Sequence, residues 1–115
     1  MIPPEAVNAV QGTVNLLVDG EYVALQNLTQ GKNYDAADLA ELVRALGHDL
    51  VHPASEAFHD PDVAAVENVV DGRRSIQVDF PLWTEGGRRS DLLLRLTLTE
   101  VMERVFGVRI DSIGS

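Results

Sequence analysis

Near the start of the chain, Val7, Val10, Val14, Leu17 and Val18 recur at steps of three and four. That spacing draws one apolar stripe along an amphipathic helix. Pro3, Pro4 and Glu5 suit its entrance, because a first-turn proline forfeits no hydrogen bond and an early acid favours the helix dipole. Asp19-Gly20 breaks the stripe. A second, shorter helix is expected over 21–28 with Tyr22, Leu25 and Leu28 on one side, and 29–33 reads as a turn. Asp35 is then a candidate N-cap with Asp38 three residues on, ahead of Leu39, Leu42, Val43 and Leu46. Gly47 supplies a stop.

Beyond Gly47 the period changes from helical to alternating. Residues 48–62 hold Pro53, Pro61 and all three histidines and read as a loop, with Leu50-Val51 a short extended piece. Residues 63–70 read as a strand. Asp71-Gly72 is a hairpin signal, since both residues tolerate the positive φ of a tight primed turn. Over 75–83, Ile76, Val78, Phe80 and Leu82 alternate with Gln77 and Asp79; Pro81 predicts a bulge or an edge from there on. Glu85-Gly86-Gly87 turns the chain again. In the strand expected over 91–100, Leu92, Leu94, Leu96 and Leu98 point one way and Arg95, Thr97 and Thr99 the other. Glu103-Arg104 is the next turn, and Val108 and Ile110 face inward from a last strand over 105–113. Helices first and an antiparallel meander of about four strands afterwards give a sheet with one apolar face. The N-terminal helices are the available cover, so residues 1–115 are read as a single two-layer α+β domain.

Two or three helices followed by a curved meander of this length, closing on Val108-Arg109-Ile110-Asp111-Ser112-Ile113, is similar to the cone-shaped nuclear transport factor 2-like (NTF2-like, or cystatin-like) class. The run Leu82-Trp83-Thr84-Glu85-Gly86-Gly87-Arg88-Arg89-Ser90-Asp91-Leu92, continuing to Leu96-Thr97-Leu98-Thr99, resembles a family of small bacterial proteins of unknown function. The features that carry this resemblance are a Trp-Thr step, a Gly-Arg-Ser-Asp-Leu run, a Leu-Thr-Leu-Thr run and a preceding segment like Glu56-Ala57-Phe58. The resemblance implies a fold and a bacterial origin, and no activity comes with it. The cone-shaped class hosts enzymes, ligand carriers and protein-binding modules, so the fold alone does not choose among them.

Charge changes the picture more than composition does. Hydrophobic residues at 45% and charged residues at 23% of 115 are ordinary globular usage. Eighteen acidic against nine basic side chains give a net charge of -9, which argues against nucleic acid as a partner. Residues 1–71 hold twelve acids and two bases, whereas 72–115 hold six and seven. The absence of cysteine excludes disulfides, thiolate metal sites and cysteine nucleophiles. No apolar run suits a membrane span and no basic-then-apolar leader opens the chain, so a cytoplasmic location is expected.

Candidate chemistry is sparse. His48, His52 and His59 lie close together with Asp49, Glu56, Asp60 and Asp62, but their spacing matches no metal signature, and a solvated acidic loop explains them. Asp79 and Asp91, with Arg95 nearby, can be read as a polar cluster at the open end of a curved sheet. They are better read as a surface ion-pair network worth under about 1 kcal/mol per pair. Trp83, the single tryptophan, is either core or interface. No nucleophile elbow, phosphate loop or dinucleotide fingerprint is present.

The expectation is therefore a non-enzymatic protein-interaction module, with an immunity-type inhibitor as one form. Its binding residues would be Trp83, Asp79, Asp91 and Arg95, without catalytic set, metal or cofactor, and its partner another protein or a second copy in a homodimer. The rival is a small-molecule-binding or hydrolase/isomerase-like domain with a pocket between helices and sheet. Phe80, Leu94 and Leu96 would form its floor and Asp79, Asp91 and Arg95 its mouth.

Overall fold

The computed structural model describes residues 3–59, 64–86 and 88–114. Three helices, α1 (Pro4–Val18), α2 (Tyr22–Thr29) and α3 (Ala36–Ala45), precede the strands β1 (Leu50–Val51), β2 (Ala64–Val70), β3 (Arg73–Thr84), β4 (Arg88–Met102) and β5 (Val105–Gly114). A 3₁₀ turn, Ser55–His59, lies between β1 and β2. The architecture is α+β, three helices against a curved antiparallel sheet. The sheet has five strands rather than four, because Leu50 and Val51 pair with Thr84 and Trp83 of β3.

Each helix follows its sequence cue. Val7, Val10, Val14 and Leu17 of α1 are buried, joined by Ala6 and Thr13; the Thr13 hydroxyl donates to the Ala9 carbonyl at 2.7 Å, which lets a polar group sit in the core. In α2, Leu25 is buried but Leu28 is 40% exposed. Thr29 takes the inward position instead, leaving Leu28 on the flank of a helix only two turns long. Asp35 caps α3 with a reciprocal box: its carboxylate accepts from the Asp38 N–H at 2.8 Å, and the Asp38 carboxylate from the Asp35 N–H at 3.2 Å. Gly47, with φ of 73°, follows the helix end.

The hairpin signals also hold. Asp71 and Gly72 take φ of 54° and 76°, the primed turn joining β2 to β3. Ile76, Val78, Phe80 and Leu82 of β3, Leu94, Leu96 and Leu98 of β4, and Val108 and Ile110 of β5 form the inner face. This face meets α1 and α2 in one contiguous core. Phe58, from a segment the sequence leaves as loop, is buried and stacks on Phe80 with ring centroids 5.0 Å apart.

The irregularity expected from Pro81 on is present, the β3–β4 register shifting between Pro81 and Trp83, although β3 is an inner strand and not an edge. Among the described residues β2 pairs with β3 up to Asp79 and β1 pairs from Trp83, so no described ladder partner on that side needs the N–H that Pro81 lacks. The irregularity lies across from it in β4, where the register passes from Pro81↔Leu93 to Trp83↔Arg89. The Ser90 hydroxyl fastens that bulge, donating to the Leu82 carbonyl at 2.6 Å and accepting the Leu92 N–H at 3.1 Å. A second bulge puts the extra residue Asp111 into β5. The loop before α3 holds it: Asn33 Nδ2 donates to the Ile110 carbonyl at 3.0 Å and the Tyr34 hydroxyl to the Asp111 carbonyl at 3.2 Å.

Candidate functional site

The open side of the sheet carries most of the residues singled out from sequence. Asp79 and Arg95 are directly opposite across β3 and β4, carboxylate to guanidinium at 3.7 Å and well exposed. Asp91 is exposed four residues further along β4, about 13 Å away at roughly 3.3 Å per residue, so the two carboxylates do not form a close pair. Trp83 is half-buried on the same side, next to Val51. Beside them, Asp111 accepts from the Thr97 hydroxyl at 2.6 Å and from Arg109 Nε at 2.7 Å, a charge-matched network on the surface. Phe80, Leu94 and Leu96 are on the opposite side, at most 1% exposed. The structure thus separates the floor and the mouth of the pocket expected from sequence.

A different cleft is present, at the end where the helices run out. It measures about 540 Å³, and its walls come from four places. Leu17 and Val18 end α1, Tyr22 begins α2, Val43, Arg44 and Gly47 end α3, and His48 to Leu50 and Glu85 close the sheet side. Glu85, in the β3–β4 turn, reaches back across it. One carboxylate oxygen meets His48 Nδ1 at 3.1 Å and the other accepts the Asp49 N–H at 2.9 Å, while its own N–H donates to the Asp49 carbonyl at 3.1 Å. The His48 ring at hydrogen-bonding distance, helped by the Glu85 and Asp49 backbone amides, holds the Glu85 carboxyl below its ordinary value of 4.5.

Four residues further on, His52 bridges two side chains one turn apart on α1, Asn15 Oδ1 at 3.2 Å and Asp19 Oδ1 at 2.7 Å. The two histidines therefore clamp β1 from both ends, one to the β3–β4 turn and one to α1. They do not converge, and no three metal-ligating side chains cluster among the described residues. The side chain of His59 and residues 60–63, with Asp60 and Asp62, lie outside the described residues. Glu85, Asp19 and Asn15 were not singled out from sequence; each partner is more than thirty residues away, and no local spacing signals such a contact.

Because Glu85 has a lowered folded pKa, its contribution to stability is present above the ordinary value of 4.5 and lost as pH falls through the folded value. Glu85→Gln keeps the shape of the side chain but removes its charge and turns one of the two acceptor oxygens into a donor. Its stability deficit relative to the parent is expected above pH 4.5 and vanishes on acidification. Urea midpoints for both proteins across this range measure it, and a deficit unchanged down to about pH 3 means the His48 contact does not bias the carboxylate.

With the geometry in hand, comparison with known families gives one result. The profile of a domain of unknown function, DUF7668, matches residues 14–115. The chain belongs to that family. The DUF7668 match runs from the middle of α1 through β5, so it spans the sheet, the cleft and both histidine clamps. No curated protein and no solved structure matches the chain. No helix among the described residues is long and apolar enough to cross a membrane.

Proposed function

We propose that this DUF7668 domain is a protein-interaction module rather than an enzyme, presenting an acidic helical layer to a basic partner protein, with an immunity-type inhibitor as its most specific form. One observation carries the reading. Residues 3–59 hold eight carboxylates against Lys32 and Arg44, and all but Glu5 are exposed. Because the helices come first in the chain, a charge asymmetry along the sequence becomes one between layers, and such a field steers a cationic partner. The cleft adds an anchor point. Asp49 and Glu85 line it together with Leu17, Val18 and Leu50, a combination suited to the apolar stem and charged head of a lysine or arginine.

The inner core is filled by apolar side chains, and the Glu85 carboxyl in the cleft is displaced downward, opposite to what a general acid needs. A cytoplasmic setting suits a cysteine-free domain. The volume of the cleft, within the range of about 300–1,000 Å³ of ligand sites, favours the small-molecule alternative, and a thermal-shift screen of metabolites addresses it.

The test is capture of partners from the native host by the intact chain, at low salt and at about 1 M, where attraction is screened beyond about 3 Å. A basic partner released by salt is expected, held more weakly by the triple variant Glu21→Gln, Glu41→Gln, Asp49→Asn. A partner indifferent both to salt and to the triple variant overturns the reading.

A further inference from the structure

The two outer edges of the sheet are treated differently. On β5, Asn33 and Tyr34 reach over to carbonyls of Ile110 and Asp111. β2 has no such cover among the described residues. It is seven residues long, contains no lysine, arginine or proline, and leaves Val66, Val69 and Val70 58%, 71% and 53% exposed. A long edge with no such cover, charged only at Glu67, is a template for another strand.

We propose that β2 is a homodimerisation edge, pairing antiparallel with β2 of a second copy about a two-fold axis at Asn68. The occupant follows from the strand's own pattern. The two-residue turn makes Val70 and Arg73 a hydrogen-bonded closing pair. Val70, Asn68 and Val66 therefore direct their N–H and C=O groups to β3, and Val69, Glu67 and Ala65 direct theirs outward. The outward Val69 N–H has found a makeshift acceptor in the adjacent Asn68 Oδ1 at 3.2 Å, which a pairing strand replaces. Apolar residues stand symmetrically about Asn68, so the two-fold sets Val66 opposite Val70 and Val70 opposite Val66, on the open side of the sheet. It also sets Glu67 opposite Val69. The neighbouring register, centred on Glu67, brings two glutamates face to face and is disfavoured. In the favoured one, Glu67 keeps its ion pair with Arg74 of its own chain. An isologous contact of this kind closes at two copies, and the two sheets become one continuous ten-stranded sheet.

The experiment uses the full chain, which has no cysteine of its own. Light scattering after size exclusion is expected to report a dimer that Val69→Lys converts to a monomer with an unchanged circular dichroism spectrum. Independently, Asn68→Cys places two thiols across the axis on residues with Cα atoms about 4.5 Å apart, within disulfide reach. Mild oxidation is expected to cross-link it faster than Asn27→Cys, an exposed control on α2, by on the order of 100-fold, since pairing raises the local thiol concentration from micromolar towards millimolar. A monomer at every concentration overturns the proposal, as does a dimer indifferent to Val69→Lys, or cross-linking of Asn68→Cys no faster than the control. None of these outcomes depends on the acidic layer or its partner.

Discussion

Phe80→Ala is expected to cost about 3–5 kcal/mol of folding stability. Phe80 is 1% exposed, the bulkiest of the fully buried side chains, and sits mid-strand opposite Leu94 in the centre of the sheet. Its ring is also the surface on which Phe58 rests, the planes only 12° apart. Truncation therefore opens a void walled by strands that cannot move together without breaking ladder hydrogen bonds. It also removes the platform that anchors the 3₁₀ turn and, through it, the connection from β1 to β2. Phe58→Ala is expected to cost less, because its site is at the margin of the core and 7% exposed. The double variant should fall short of the sum by about 0.5–1.5 kcal/mol, the part of each loss that is the shared stack. Urea unfolding of the three variants measures all of this, with an unchanged slope needed for the comparison. A loss below about 2 kcal/mol for Phe80→Ala means that the layers close over the gap, and the sheet is more compliant than its pairing suggests.

Most of this fold is legible in local periodicity. The stripe of α1, the Asp35–Asp38 box, the Asp71-Gly72 turn and the alternating leucines of β4 each draw on neighbours within four residues, where sequence spacing and spatial spacing coincide. What escapes is settled by contacts across long separations. β1 counts as a strand only because Thr84 and Trp83 stand beside it. Phe58 is buried because Phe80 waits on another layer. The irregularity that Pro81 announces appears on the neighbouring strand, held by a serine hydroxyl that no propensity singles out. The candidate site follows the same division. Asp79 and Arg95 meet because alternation and register put them opposite one another. The cleft and its two histidine clamps instead depend on how three helix ends approach one turn of the sheet, and nothing in the spacing of His48 and His52 names Glu85 or Asp19 as partners.

Leu39→Ala should weaken a different part of the molecule in a different way. Leu39 is the only fully buried residue of α3, and α3 packs chiefly on α2 rather than on the sheet. Its remaining ties are the Ala36 N–H to Gln26 Oε1 bond at 2.8 Å and the half-buried Val43. Removal of a wholly buried leucine costs about 2–5 kcal/mol where the surroundings stay in place. Here α3 can lift away instead, so the loss registered by global unfolding is limited to the free energy that docks this one helix. The distinguishing measurement is hydrogen exchange. Amides of 36–45 should exchange faster by one to three orders of magnitude, each about 1.4 kcal/mol of local opening, while those of β3 and β4 keep most of their protection. Phe80→Ala, by contrast, should lower protection everywhere together. Because Val43, Arg44 and Gly47 form one wall of the cleft, a loosened α3 also widens it, and partner binding that needs a rigid acidic layer should weaken in Leu39→Ala even where the sheet is intact. If β3 and β4 lose protection as fast as α3, the helix is integral to the core and the cleft wall does not move by itself.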